Sequence, residues 1–243
     1  IHIPKKVPAP TVIVCHGFKS SKFSKEEMCE FLASKGYVSL RFDFNGHGES
    51  YGKFKDMTIT KCNDDLKTGI DFLKKQKFFN GKMALTGTSM GGFVILIYAS
   101  KHHDRNIRAL VPICPPFKMD ETAMMRNKEV MKKWKENGYT SFYVRTKGSK
   151  REKKTLSYGF VDDSLRYNMS KTTKKIDVPV LLIHGNRDMS VPLEHSKLYY
   201  KNLAAHKKLV ILRGAGHNHE FRKKDTKIVY REMSIWLKRY LKN

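Results

Sequence analysis

Short runs of apolar, β-branched residues recur along the chain between longer segments of helical period, and that alternation restricts the fold to a mostly parallel sheet flanked by helices. Residues 11–16, 37–44, 82–88, 107–114, 178–184 and 208–212 read as buried strands, apolar on both faces as parallel strands must be. Helices are predicted at about 22–35, 60–76, 91–103, 193–205 and 222–241, with Gly17, Gly36, Gly81 and Gly214 at the junctions. The first four residues are expected to lie within a further strand at the start of the fold, so that the chain opens inside a longer product. The alternation breaks once. From 115 to 175 a charged, helix-like stretch precedes a hairpin predicted from 141–145 and 155–160. The chain is therefore read as an α/β core, 1–114 and 176–243, carrying an inserted cap, 115–175. That insertion falls where loops of such sheets border a ligand crevice. A solvated excursion with no substrate role is the plainer alternative.

Within this frame one pentapeptide stands in a demanding context. Gly87-Thr88-Ser89-Met90-Gly91 follows a predicted strand at once and opens a predicted helix. A sharp strand-to-helix turn projects the serine hydroxyl clear of the sheet, and flanking glycines remove the Cβ atoms that would collide there. The free N–H groups at the start of the helix suit a developing oxyanion. A chance tight turn is the competing reading, and the correct flanks on both sides weigh against it.

A hydroxyl needs a base, and the base an acid that holds it in one tautomer. Asp188 lies just past the strand ending in Leu-Leu-Ile-His-Gly, and His217 just past the next one, in Arg213-Gly214-Ala215-Gly216-His217. Alone, Asp188 would read as a helix cap and His217 as a loop histidine. Their joint position after successive strands, in the order Ser, Asp, His, points to a catalytic set. The spacing of the loop favours His217 over His219 as the base. Backbone N–H groups of Phe18, after the first strand, and of Met90 are the expected oxyanion donors, and His16 reads as a structural histidine. The turn Asp43-Phe44-Asn45-Gly46-His47-Gly48-Glu49-Ser50 is expected to pack beside the floor of the site.

Composition narrows the partners. Forty-eight Lys and Arg against 23 Asp and Glu give a formal charge of +25. The cations are spread over every candidate helix face and no nucleic-acid-binding signature accompanies them, so a lysine-rich surface is the favoured reading and no nucleic acid is expected. Cys15, Cys29, Cys62 and Cys114 lack a Cys-x-x-Cys pair, which points to reduced thiols and a cytoplasmic setting, with neither a metal site nor a disulfide scaffold. The strongest apolar run, 93–99, falls far short of the roughly twenty residues that span a bilayer.

Taken together, His16-Gly17-Phe18, the Asp43 to Ser50 turn, Gly87 to Gly92, the Asp188 loop and Gly214-Ala215-Gly216-His217 resemble the α/β-hydrolase superfamily over nearly the whole chain. Within it the chain is most similar to small cinnamoyl- or feruloyl-esterase-like carboxylesterases, which carry a cap at the place of 115–175. The resemblance implies hydrolysis of a carboxylic ester of a small molecule, without metal or organic cofactor, by Ser89, His217 and Asp188. A thioesterase, an acylglycerol lipase and an acyl-aminoacyl peptidase use the same set, and a non-catalytic binding scaffold is the rival from another class. Two departures stand out. Met90 replaces the polar residue many relatives have after the serine, and the cap is strongly basic, with Lys147, Lys150, Arg151, Lys153 and Lys154 close together.

Overall fold

The computed structural model describes residues 1–146, 150–217 and 221–242, so that Lys147 and His219 lie outside the described residues. Eight strands follow in chain order: β1 (Ala9–Cys15), β2 (Val38–Arg41), β3 (Phe79–Thr88), β4 (Ile107–Ile113), β5 (Tyr139–Arg145), β6 (Arg151–Ser157), β7 (Val180–Gly185) and β8 (Lys207–Leu212). Six of them form one sheet in the order β2-β1-β3-β4-β7-β8, with every neighbouring pair parallel, and β5 and β6 form a separate antiparallel hairpin. This is the α/β architecture expected from the alternating pattern.

The helices are α1 (Glu26–Ser34), α2 (Ile59–Lys74), α3 (Met90–His102), α4 (Lys128–Asn137), α5 (Gly159–Leu165), α6 (Met169–Thr172), α7 (Glu194–Asn202) and α8 (Lys223–Leu237). Alternate strand side chains point to opposite faces, so each strand feeds two cores. Val12, Val14, Val111, Leu181 and Ile183 meet α1 and α8 through Met28, Leu32, Met233 and Trp236. Ile13, Leu85, Leu110, Val180 and Leu182 meet α2, α3 and α7 on the other side. The central helix α3 is buried from Met90 through Ser100, which is why its sequence is apolar all round and lacks a polar stripe.

Several boundaries differ from the sequence expectation, each for a local reason. The helix predicted at 22–35 is a 3-10 turn, Lys22–Lys25, followed by α1. The strand predicted to reach 44 stops at Arg41, because Asp43 turns to accept the backbone N–H groups of Lys22 and Glu49 at 2.7 and 3.0 Å. Instead of a strand, the first four residues contribute a single antiparallel bridge, in which His2 and Ser39 exchange two 2.9 Å hydrogen bonds.

Between β4 and β7 the chain leaves the core pattern. Asn127 caps α4 by accepting from the N–H groups of Glu129 and Val130, and Gly138 ends the helix at φ 73°. The second hairpin strand is Arg151–Ser157, earlier than the predicted 155–160, since pairing runs from Tyr139 opposite Ser157 to Arg145 opposite Arg151. The charged run that reads as a turn in sequence is strand, with its side chains largely in solvent, and of the aromatics after it Tyr158 stands at the N-cap of α5 and Phe160 within the helix. The excursion is nonetheless fastened to the core. The Asp163 carboxylate accepts from the N–H and hydroxyl of Thr60 in α2 at 2.9 and 2.6 Å, while within the excursion Trp134 donates its indole N–H to the Leu156 carbonyl at 3.1 Å.

Candidate active site

Ser89 occupies the single residue between β3 and α3, with φ 54° and ψ −117°. A side-chain-bearing residue rarely holds that conformation, and the surroundings enforce it. The Ser89 N–H donates to the Ile113 carbonyl at 2.8 Å, and its carbonyl accepts from Phe93 at 3.0 Å. Helix and sheet approach so closely that a Cβ on Gly87 would lie 2.4 Å from the Gly91 carbonyl carbon, and one on Gly91 would lie 2.6 Å from the His16 oxygen. The two glycines flanking the turn are therefore required by close approach. Met90 is the first residue of α3, so its N–H has no acceptor within the helix.

Asp188 and His217 come from the loops after β7 and β8, which interlock. A Cβ on Gly185 would sit 2.3 Å from the Gly216 oxygen, and the Arg187 N–H donates to the Ala215 carbonyl at 2.8 Å. This contact brings the His217 Nδ1 to 2.6 Å from the Asp188 Oδ2. The other carboxylate oxygen, Oδ1, accepts the N–H groups of Ser190 and Val191 at 2.9 and 2.8 Å. Burial alone would raise the Asp188 pKa, but the bonds from His184, from His217 and from the Val191 N–H outweigh it and hold the carboxyl well below its ordinary value.

The sequence reading did not single out His184. Its Nε2 donates to the Val191 carbonyl at 2.8 Å and lies 3.3 Å from the Asp188 Oδ2, while its Nδ1 accepts from the Ser196 hydroxyl at 2.7 Å. The signal was present as a histidine ending an otherwise apolar strand. Lys25 was missed too. Its ammonium donates to the Thr88 hydroxyl at 2.8 Å directly beneath the serine turn, and burial lowers its pKa to about 8. Lys25 continues the stripe of Met28, Cys29 and Leu32 at helical spacing, a phase that marks it for the interior.

His16 is structural, as expected. Its Nδ1 donates to the Gly17 carbonyl at 2.8 Å and its Nε2 accepts from the Phe44 N–H at 3.1 Å, and burial lowers its pKa to about 4. The glycine-rich turn supports the floor through His47, whose ring lies 4.9 Å from that of His16 and 5.0 Å from that of Phe54. Phe54 in turn lies against Phe18 at a tilt, with centroids 5.7 Å apart.

A cavity of about 830 Å³ opens over this floor, and Phe18, Ser89, Met90 and His217 all line it. Asp188 does not line it and is buried behind the His217 ring. Phe142 and Phe160 from the excursion close one wall beside Phe18, at centroid distances of 5.2 and 5.6 Å. Among the described residues one set offers metal-ligand atoms close together: Cys114, Asp188 and His217, within 4.8 Å of one another. The Asp188 oxygens already accept from two backbone amides and two imidazoles, an arrangement that suits a hydrogen-bonded carboxylate better than a metal ligand.

Comparison with known proteins places the chain. The family described as serine aminopeptidase, S33, matches residues 6–158. The palmitoyl-protein thioesterase ABHD10 of Homo sapiens is 26% identical over 194 residues, covering 77% of this chain and 60% of its own length. The protein YqkD of Bacillus subtilis is 24% identical over 218 residues, 89% of this chain and 67% of its own. The chain thus spans about two thirds or less of these relatives. Among solved structures, Est1E of Butyrivibrio proteoclasticus with bound ferulic acid superposes with a TM-score of 0.75 at 25% identity, covering 96% of this chain and 92% of its own. The α/β hydrolase GrgF of Penicillium sp. sh18 reaches 0.83 at 20% identity over 99% and 93%.

Proposed function

The chain belongs to the serine aminopeptidase S33 family and is a hydrolase of the α/β-hydrolase fold, and from that premise we propose that it cleaves carboxylic esters through an acyl-enzyme formed on Ser89. The Ser89 Oγ attacks the ester carbonyl carbon while its proton passes to the Nε2 of His217. Asp188 holds the imidazole by its Nδ1–H and stabilises the imidazolium that forms. The oxyanion is met by the backbone N–H groups of Phe18 and Met90. Collapse breaks the bond to the leaving alcohol, which takes the proton from His217. A water molecule then repeats the sequence on the acyl-serine and releases the carboxylic acid.

The observation that carries this reading is the buried Asp188–His217 pair at 2.6 Å, whose imidazole lines the cavity that the strained Ser89 turn also lines. In the same reading the 115–175 segment acts as a cap, since its Phe142 and Phe160 line the cavity together with Ser89. Ser89→Ala is expected to lower p-nitrophenyl butyrate hydrolysis roughly 10³-fold or more with an unchanged circular dichroism spectrum. Retained turnover in that variant contradicts the assignment.

A thioester reading has its own support, because several of the relatives are named palmitoyl-protein thioesterases. The same acyl-serine serves both bonds. Matched esters and thioesters with one acyl group, compared by kcat/KM, separate the two.

A further inference from the structure

The cavity wall is unbalanced in charge: Lys19, Lys25, Arg145 and Arg151 line it against one carboxylate, Glu27. Lys25 is spoken for by Thr88. The other three converge at the mouth. Lys19 directly follows Phe18, and its carbonyl accepts the Arg145 N–H at 2.9 Å, which ties the hairpin end to the loop proposed to hold the oxyanion. Arg145 and Arg151 stand opposite one another in the hairpin register, a placement of like charges that costs stability unless something anionic lies between them. The Lys19 ammonium lies 5.9 and 5.4 Å from the ring centres of Phe18 and Phe142, partly stripped of water.

None of these three cations forms an ion pair with an acidic side chain among the described residues, although lysines close to them in the chain and on the same hairpin do. Lys22, three residues beyond Lys19, reaches Glu49 at 2.8 Å and Asp43 at 3.4 Å, and Lys154 on the same hairpin reaches Glu152 at 3.7 Å. A lysine-rich surface accounts for scattered cations. It does not account for three of them gathered on the aromatic rim of the cavity that holds Ser89. Partial desolvation and the nearby Arg151 charge both lower the Lys19 pKa, as an anion seated there would reverse.

We infer that the mouth formed by Lys19, Arg145 and Arg151 binds an anionic group of the substrate, so that the favoured esters or thioesters carry a carboxylate or phosphate remote from the scissile bond. The inference rests on the hydrolase reading of Ser89 and His217 and narrows it to a substrate class. Bidentate guanidinium contacts from two arginines suit either anion.

The test compares the mono-4-nitrophenyl ester of glutaric acid with 4-nitrophenyl pentanoate, which share a leaving group and nearly the acyl length. A second arm compares one acyl thioester of 4′-phosphopantetheine with that of pantetheine. At low ionic strength the anionic member of at least one pair is expected to have a kcat/KM roughly tenfold higher, an advantage that shrinks as salt screens it. Arg151→Gln and Lys19→Gln are each expected to bring that ratio back toward one. The arm that responds identifies the anion. An active enzyme that prefers the neutral member of both pairs, or whose ratio neither substitution moves, overturns the inference alone. If no ester or thioester turns over and a fluorophosphonate leaves Ser89 unmodified, the hydrolase reading falls, and this inference with it.

Discussion

The Asp188 carboxylate is held by two backbone amides from its own loop and by imidazoles from two different strands' ends, so the orientation of His217 is set before any substrate arrives. Replacing that carboxylate by an amide leaves the shape and removes the acceptor that fixes the His217 tautomer. Asp188→Asn is therefore expected to lower kcat by roughly 10³- to 10⁴-fold with little change in KM, read from steady-state kinetics on a p-nitrophenyl ester. Two other histidines bear on stability. Burial lowers the His16 pKa to about 4 and that of His47 to about 3, against 6.5 for an exposed ring. Between those values the unfolded chain takes up protons that the folded one refuses. Stability is thus expected to fall as pH drops from about 6.5 toward 4, with a limiting slope near 1.4 kcal/mol per pH unit for each ring. Asp188, whose pKa is depressed in the fold, adds a further loss only below about 3.8. Urea unfolding midpoints across this range measure the effect, and a flat profile from pH 6.5 to 4.5 contradicts the buried, neutral state of both rings.

At the scale of elements, the junction of β3 and α3 leaves no room for a side chain at either flanking glycine. Gly91→Ala would press a methyl group to within 2.6 Å of the His16 oxygen and 2.7 Å of the Cys15 oxygen. Backbone cannot yield there as a side chain can, and a loss of about 1–3 kcal/mol is expected, together with a fall in activity as the turn shifts. Thermal unfolding and ester turnover measured on the same sample check both parts. This junction was legible in the sequence, because a strand, a glycine-flanked turn and a helix follow one another without a gap and the constraint is local. The β5–β6 hairpin was legible only in outline. Its second strand is built from the charged run 151–154, whose strand character comes from pairing with 142–145 and not from its own side chains.

Over the whole molecule, what the sequence did not disclose is what depends on distant residues meeting. Asp163 finds Thr60 across 103 positions of chain, and His184 meets the Ser196 hydroxyl across 12. Neither pairing leaves a periodic trace. The order Ser89, Asp188, His217 was legible because this topology delivers each to the same end of the sheet, past the C-terminal ends of β3, β7 and β8. The formal charge of +25 is read from composition as a diffuse surface property, and sequence alone does not show that three of its cations, Lys19, Arg145 and Arg151, line the cavity that Ser89 also lines. Among the described residues no helix is long and apolar enough to cross a membrane.

The central claim is that one serine is chemically unlike the rest, and covalent labelling tests it most directly. The intact protein is treated with a fluorophosphonate, digested and read by mass spectrometry. A single adduct is expected on the peptide containing Ser89, absent in Ser89→Ala and formed far more slowly in His217→Ala. Labelling that is spread over several serines, or that persists undiminished after Ser89→Ala, would contradict the account.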